Sequence, residues 1–162
     1  MSRSMSETLS LSVRTAREED LPSIEALLRD CALPTDGVAP LLIASPDQFV
    51  VATDQRNTLV AVAGVEGTGA HGLLRSVAVH PQWRAHGVGN RLVQRLVERA
   101  DADGRRALYL LTTTAEHYFP RFGFVPIGRD EVPPDIAATV EFTSACPGSA
   151  ICMVRYHGGA RG

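Results

Sequence analysis

Two glycines stand where a predicted strand is followed by a helix, in the stretch Arg84-Ala85-His86-Gly87-Val88-Gly89-Asn90. Backbone amides at the start of a helix lack partners within the helix, and the helix dipole adds partial positive charge there. Because glycine has no Cβ, a phosphate can approach the backbone closely at Gly87 and Gly89. The turn therefore predicts an anion site suited to a pyrophosphate, although a bare Gly-x-Gly can also serve only to shape a turn.

Two familiar phosphate loops do not fit this turn. A Walker A loop needs a lysine followed by Ser or Thr, and all sixteen basic residues of the chain are arginine. A dinucleotide-binding loop needs a third glycine, which the stretch lacks. Every fixed cation of the chain is a guanidinium, so lysine chemistry is excluded.

A second group of polar residues lies in and after predicted strands. Arg75 falls within an apolar strand, where an unpaired charge would be costly. It therefore either pairs with a carboxylate of the protein or faces a cleft, where it would bind a substrate carboxylate or a similar oxyanion. Thr112 and Thr113 end another strand and are candidate substrate contacts, although β-branched residues at a strand end need no functional reason.

Apolar periodicity predicts the elements that position these residues. The predicted strands cover residues 11–15, 49–53, 59–65, 72–79, 107–111, 124–127 and 150–156. The predicted helices cover residues 17–31, 38–44, 87–103, 115–122 and 133–138. Hairpins in the middle of the chain, followed by a strand-helix-strand crossover, predict an α/β fold with a mixed sheet.

Composition favours one globular domain. The 162 residues are 44% hydrophobic and 21% charged, with a net charge of −2, which gives no reason to expect nucleic-acid binding. We predict a domain over residues 11–157, a disordered Ser-rich leader over 1–10 and a flexible tail over 158–162. No apolar run is long enough to cross a bilayer, and three cysteines without a secretory signal favour a reduced, cytoplasmic protein.

The turn and its surroundings resemble a known family. Arg84-x-x-Gly87-x-Gly89, placed directly after Val77-Ala78-Val79-His80-Pro81, resembles the acetyl-CoA signature of the GNAT N-acetyltransferases. Phe122-Gly123-Phe124 resembles the second motif of that family, and the likeness covers residues 11–156. It implies a mostly antiparallel sheet of six to seven strands, with a splayed parallel pair and flanking helices. It also implies acetyl-CoA as cosubstrate, no metal, and an assembly that can include a homodimer.

The resemblance assigns cofactor contacts to particular positions. The backbone amides of residues 84–89 would bind the pyrophosphate, with help from Arg84 and Asn90, and the strand end would bind the pantetheine arm through its main chain. The expected cofactor-binding residues are Val77, Ala78, Val79, Arg84, Ala85, His86, Gly87, Val88, Gly89, Asn90 and Phe119.

The C-terminal half carries a narrower likeness. Residues 109–116, Phe122-Gly123-Phe124 and residues 145–153 resemble the GNAT subfamily associated with bacterial arsenic resistance. That likeness implies an amino-acid-like or organoarsenical amine as the substrate. Cys146 and Cys152 raise the alternative of thiol ligation to arsenic, against an ordinary role as small buried hydrophobes; their spacing is not a zinc pattern.

The proton-transfer residues depart from the family pattern. The tyrosine that many members use as an acid is replaced by Phe119, and Tyr118 is a candidate only if the local helix is distorted. The position of a glutamate base in some relatives falls on Leu73. Glu66, at the end of the neighbouring strand, is the candidate base; otherwise it is a solvated hairpin residue.

Three functions follow from this sequence. The leading one is a small-molecule N-acetyltransferase in which the amine attacks the thioester directly. The alternatives are a protein or peptide N-acetyltransferase and a non-catalytic acetyl-CoA-binding regulatory module. Neither nucleic acid nor membrane is an expected partner.

Overall fold

The computed structural model describes residues 11–145 and 148–159, with residues 144, 145 and 159 described by their backbone. The predicted leader, Cys146 and most of the predicted tail lie outside the described residues. Among the residues that are described, no helix is both long and apolar enough to cross a membrane.

The element order agrees with the predicted alternation. The strands are β1 (Ser12–Thr15), β2 (Phe49–Thr53), β3 (Leu59–Glu66), β4 (His71–Val79), β5 (Ala107–Thr112), β6 (Val125–Pro126) and β7 (Ile151–Tyr156). The α-helices are α1 (Leu21–Asp30), α2 (Val38–Ala44), α3 (Val88–Ala102) and α4 (Pro134–Ala137). Short 3-10 helices cover Glu18–Asp20, Pro46–Gln48, Pro81–Trp83, Phe119–Phe122, Arg129–Glu131 and His157–Gly159, and a π-helix covers Glu141–Ala145.

The strands form one mixed sheet of seven, in the order β1-β2-β3-β4-β5-β7-β6. β2 pairs antiparallel with both β1 and β3, and β7 pairs antiparallel with both β5 and β6. β4 and β5 are the parallel pair, in register from His71 opposite Ala107 to Leu73 opposite Tyr109. This arrangement confirms the predicted mixed sheet of six to seven strands with a parallel pair.

The described chain divides into two compact units. The first contains residues 11–64 and 76–93. Its core joins the apolar faces of α1 and α2 to β2 and β3, through side chains such as Ile24, Leu42 and Phe49 that are fully buried. Gly64 in β3 leaves the space that the Phe49 ring occupies, since a Cβ at residue 64 would lie 2.4 Å from Phe49 Cδ2.

The second unit contains residues 65–75 and 94–159. Its core includes Leu73, Tyr109, Ile136 and Val154, contributed by β4, β5, α4 and β7. Residues 107–110 of β5 are all buried, as their unbroken apolar run predicts for a strand covered on both faces.

One predicted helix differs from the structure, and one observed helix was not predicted. The helix expected over residues 115–122 is wrong in type and length, because only Phe119–Phe122 is helical and it is a 3-10 helix. Pro120 in its first turn and Gly123, with a φ of 95°, leave no room for a longer helix. The π-helix at Glu141–Ala145 was not predicted by any pattern in the sequence.

Candidate functional site

The predicted phosphate turn joins β4 to α3 through strained backbone. Ala85 and Gly87 both have positive φ, of 67° and 76°, and α3 begins at Val88. A left-handed alanine costs about 1 kcal/mol, and strain of this kind is concentrated at ligand-binding turns. A Cβ added at Gly87 would meet no atom within 4 Å, so the space over this glycine is open. The turn fits a ligand that lies against the backbone.

Side chains within the first unit hold the turn in place. Arg84 Nε donates to the carbonyl oxygen of Val79 at 3.1 Å, and its Nη2 lies 3.5 Å from Cys31 Sγ. His86 Nδ1 donates to the carbonyl oxygen of Arg84 at 2.9 Å, since a carbonyl only accepts. His80 Nδ1 accepts from the backbone N–H of Gln82 at 3.1 Å. The side chain of Arg84 therefore braces the end of β4, and its assistance to a phosphate stays a prediction.

The other residues predicted to bind the cofactor differ in how far they are exposed to solvent. Val77 and Val79 are half-buried in β4, whereas Ala78 belongs to the core. Asn90 is exposed in the first turn of α3. Between Arg75 and Val77, Ser76 has a φ of 60°, so β4 cannot continue there as a regular extended strand.

Arg75 lies in the second unit at the centre of an ion cluster. Its side chain is fully buried, Nη1 donates to Glu66 Oε1 at 3.1 Å, and Nε lies 3.5 Å from Glu141 Oε2. The side chains of Glu66 and Glu141 are only 16% and 6% exposed. Arg75 thus pairs with carboxylates of the protein, and its contact with a substrate stays a prediction. The alternative of a solvated hairpin residue is wrong for Glu66.

Tyr118 and Phe119 begin an aromatic group in the second unit. The Tyr118 ring makes edge contacts with Phe119 and Phe122, at centroid distances of 5.1 and 5.5 Å. The Arg121 guanidinium lies 4.4 Å from the centroid of the same ring. Burial raises the pKa of Tyr118 against the opposing effect of Arg121, so its phenol stays protonated at neutral pH. Phe119 is buried against Phe124.

The backbone at Tyr118 departs from an α-helix, and such a departure is the condition under which Tyr118 is a candidate acid. This residue caps a 3-10 helix instead of lying within an α-helix. The argument against Tyr118 assumed a rotation of 100° per residue along an α-helix, and no α-helix covers this residue. Tyr118 remains the candidate acid.

The threonines and cysteines have mainly structural surroundings. Thr112 is buried and its Oγ1 accepts from the backbone N–H of Ala115 at 2.9 Å, while Thr113 is exposed. Cys152 is buried in β7, and burial raises the pKa of its thiol to about 11. Over residues 11–145 and 148–159, no group of three or more His, Cys, Asp or Glu side chains could hold a metal ion.

Glu141 is the site residue that sequence reasoning missed. It lies far along the chain from Arg75, in a stretch with no periodic pattern. A buried arginine predicts that a carboxylate partner exists, but local sequence does not say which one.

Comparison with known proteins identifies the family. A family model for the acetyltransferase (GNAT) domain matches residues 45–126, a span that includes the phosphate turn and Phe122-Gly123-Phe124. The chain belongs to the GNAT acetyltransferase family, as the resemblance of its motifs predicted.

Similar sequences are named amino-acid acetyltransferases. The one from Pseudomonas syringae pv. tomato is 38% identical over 71 residues, covering 44% of this chain and 16% of the relative. The one from Azotobacter vinelandii is 40% identical over 62 residues, covering 38% of this chain and 14% of the relative. The aligned region is therefore about a sixth of the length of these curated relatives.

Solved structures confirm the fold. N-acetylglutamate synthase from Neisseria gonorrhoeae, complexed with coenzyme A and N-acetyl-glutamate, superposes with a TM-score of 0.76 at 23% identity, covering 91% of this chain and 35% of that one. Rv2747 from Mycobacterium tuberculosis, in complex with CoA and NLQ, gives a TM-score of 0.74 at 24% identity. The match covers 90% of this chain and 98% of that one. The resemblance to the arsenic-resistance subfamily stays a prediction.

Proposed function

We propose that this chain is an acetyl-CoA-dependent N-acetyltransferase that acts on the amine of a small, amino-acid-like molecule. The observation that carries the proposal is the phosphate turn: two left-handed residues, Ala85 and Gly87, precede a fifteen-residue helix, and the space over Gly87 is open. The turn lies within the region that matches the family, and the similar sequences are named amino-acid acetyltransferases.

The cofactor would lie along the turn and the end of β4. Backbone amides of residues 84–89 would bind the pyrophosphate, with Asn90 nearby at the start of α3. The main chain of Val77 and Val79 would bind the pantetheine arm, as an added strand does. Such binding places the thioester for direct attack by the amine, and positioning of two reactants supplies much of the rate enhancement.

Glu66 and Tyr118 are proposed for the two proton transfers. The Glu66 carboxylate, oriented by Arg75, would accept a proton from the attacking amine. The Tyr118 phenol, which burial keeps protonated, would donate a proton to the thiolate that leaves. The amine nitrogen forms the new bond to the acetyl carbon, and the bond from that carbon to sulfur breaks. The proton that the amine loses goes to Glu66, and the proton that the thiolate gains comes from Tyr118.

The substrate would present a carboxylate or a similar oxyanion beside its amine. Arg75 is the proposed partner of that anion, because a guanidinium can bind two oxygens at once. Thr112 and Thr113, at the end of β5, are further proposed contacts. An organoarsenical amine with an oxyanionic arsenic group has the same two features as an amino acid and belongs to the same proposed class.

A calorimetric titration with acetyl-CoA tests the proposal, with Gly87→Gln and Gly104→Gln as a matched pair. Gly104, just after α3, has a φ of 74° and equally open space, so both substitutions cost about 1 kcal/mol of backbone strain. We expect one-to-one micromolar binding, weakened at least tenfold in Gly87→Gln and unchanged in Gly104→Gln. An amine panel monitored by thiol release then identifies the acceptor. Absence of binding by the folded protein, or an equal loss in both variants, contradicts the proposal.

A further inference from the structure

Arg155 connects three elements of the second unit. It lies in β7, its Nη1 and Nη2 atoms donate to the two carboxylate oxygens of Asp101 at 3.0 Å each, and its Nε atom donates to the carbonyl oxygen of Phe122 at 2.8 Å. Asp101 lies in the last turn of α3, and Phe122 is the last residue of the 3-10 helix Phe119–Phe122. One guanidinium therefore ties this 3-10 helix to both α3 and β7.

The geometry of these contacts fixes the guanidinium in orientation. Two parallel hydrogen bonds between an arginine and a carboxylate set direction as well as distance. The last carbonyl groups of a helix lack partners within it, and Arg155 supplies a donor to that of Phe122. The Arg155 side chain is only 11% exposed and packs over Gly123, where an added Cβ would lie 3.5 Å from Nε. Arg155 therefore restrains the main chain at the end of the 3-10 helix.

The restraint extends to Tyr118 because this residue caps the same short helix. The carbonyl oxygen of Tyr118 accepts from Arg121 Nε at 3.0 Å and from the backbone N–H of Arg121 at 3.4 Å. The Tyr118 ring also makes an edge contact with the Phe122 ring, at a centroid distance of 5.5 Å. A shift of Phe122 would therefore move both the helix that Tyr118 caps and the ring against which Tyr118 packs.

A general acid depends on such a restraint. It must lie within hydrogen-bond reach of the atom that it protonates, and a misplacement of about 1 Å can lower the rate about 100-fold. A 3-10 helix of 4 residues has few hydrogen bonds of its own with which to hold a side chain. Contacts from neighbouring elements therefore decide where the Tyr118 phenol lies.

We propose that Arg155, oriented by Asp101, is a positioning residue that holds Tyr118 in place to protonate the leaving thiolate. This inference rests on the proposed function, in which Tyr118 is the acid. In that step the carbon–sulfur bond breaks, the phenol passes its proton to sulfur, and the phenolate regains a proton from water before the next turnover. Arg155 and Asp101 act through Phe122 and the 3-10 helix, and not on the reactants.

A double-mutant cycle of Arg155→Lys with Tyr118→Phe tests the inference by steady-state kinetics. A lysine keeps the positive charge, but its donors lie on one atom, so it cannot bind the carboxylate and the carbonyl in the geometry of the guanidinium. We expect kcat to fall about 100-fold in Tyr118→Phe and about tenfold in Arg155→Lys. In the Tyr118→Phe background, Arg155→Lys should change kcat by less than about twofold, because the acid is already absent.

Arg14→Lys is the matched control. Arg14 also donates two hydrogen bonds to one carboxylate, that of Asp20, and one to a carbonyl oxygen, that of Thr15 at 3.1 Å. Its variant should weaken an equivalent set of contacts and keep the kcat of the native chain. The inference is overturned by a native kcat in Arg155→Lys or in Tyr118→Phe. A loss from Arg155→Lys by the same factor in both backgrounds, or an equal loss in Arg14→Lys, also overturns it.

Asp101→Asn provides a milder test in case Arg155→Lys does not fold. The amide keeps one acceptor oxygen, so the guanidinium stays bound but is less firmly oriented. We expect a smaller fall in kcat, again only when Tyr118 is present, and a native kcat in Asp20→Asn. An equal fall with and without Tyr118 overturns the inference.

Failure of the proposed function is recognised separately, as absence of thiol release with every amine tested. The inference is then decided by fluorine NMR of the chain labelled with 3-fluorotyrosine, in which Tyr118→Phe identifies the Tyr118 resonance. A Tyr118 resonance that shifts or broadens in Arg155→Lys but not in Arg14→Lys supports the positioning. A resonance that is unchanged in Arg155→Lys, or that changes equally in both variants, overturns it.

Discussion

At the residue scale, Cys31 and Cys152 differ in the access of solvent to their thiols. Cys31 is half-buried beside Arg84, whereas Cys152 is 2% exposed in β7 and burial raises the pKa of its thiol to about 11. At pH 8 only about one Cys152 thiol in a thousand is ionised. We expect iodoacetamide to modify Cys31 in the native protein and to spare Cys152, measured by mass spectrometry of tryptic peptides.

Urea provides the control for this labelling. Both cysteines should react in the unfolded chain, because burial is the cause of the difference. Rapid modification of Cys152 in the folded protein would contradict the structure around β7. It would also restore Cys152 as a candidate for the thiol ligation of arsenic, a role that a buried thiol with a raised pKa does not favour.

The sequence predicts local site residues better than distant ones. The position of the turn before α3 was predictable because a strand end, two glycines and a helix start are contiguous in the chain, and its binding of a phosphate stays a prediction. The partners of Arg75 were left open because they depend on tertiary contacts. Of the two glutamates that pair with Arg75, Glu66 was predicted as a base and not as an ion-pair partner. No sequence signal points to Glu141.

At the element scale, apolar periodicity was sufficient to predict the bounds of a helix or strand wherever that element buries one continuous apolar face. The bounds of α2 and β2 were predicted without error, and those of α3 within one residue at each end. The predicted helix over residues 115–122 was wrong because Pro120 and Gly123 restrict the backbone there. This restriction outweighs the apolar spacing that favours a helix. Short elements have few periodic positions, so backbone restrictions decide them.

Packing between β2 and β3 depends on the absence of a side chain at Gly64. A methyl group at residue 64 would lie 2.4 Å from two carbons of the fully buried Phe49 ring. Because the ring is enclosed, it cannot move aside without displacing its own neighbours. We expect Gly64→Ala to lower the free energy of unfolding by about 2 kcal/mol, measured by urea denaturation.

Two further variants isolate the cause. Gly69→Ala should change stability by less than about 0.5 kcal/mol, because a Cβ at residue 69 meets nothing within 4 Å. Phe49→Leu should cost less in the Gly64→Ala background than in the native chain, since the smaller side chain relieves the collision. Additive losses from the two substitutions would show that the destabilisation has another source.

At the scale of the whole molecule, the order of elements and two motifs were enough to predict the fold class. Seven strands with one parallel pair follow from hairpins in the middle of the chain and a single crossover through α3. The division into two compact units was not predicted, because β3, β4 and α3 each continue from one unit into the other. A pattern along the chain does not mark a boundary that falls inside regular elements.

Each unit contains one aspartate whose ionised form stabilises the fold. Arg14 donates two hydrogen bonds to Asp20, at 2.7 and 2.9 Å, and this pairing lowers the pKa of Asp20. Arg155 donates two to Asp101, at 3.0 Å each, and lowers the pKa of Asp101 in the same way. The structure therefore places an acid-sensitive contact in both units.

The sign of the pH effect follows from these lowered pKa values. The unfolded chain, in which an aspartate has a pKa near 3.8, binds protons at a higher pH than the folded one. The stabilisation is complete above about pH 5 and is lost as the pH falls through 3.8 toward the folded-state pKa. We expect the variant with Asp20→Asn and Asp101→Asn to be about 2–4 kcal/mol less stable than the native chain at pH 7.

Urea denaturation at pH 7, 5, 4 and 3, followed by circular dichroism, measures this dependence. The difference between the native chain and the double variant should shrink steadily below pH 5, because acid removes from the native chain the contacts that the variant already lacks. Asp103→Asn serves as the control. Its carboxylate is 59% exposed and lies 3.9 Å from Arg99, so its loss should leave the stability curve unchanged. A difference that stays constant down to pH 3 would mean that the two aspartates act through packing and not through their charge.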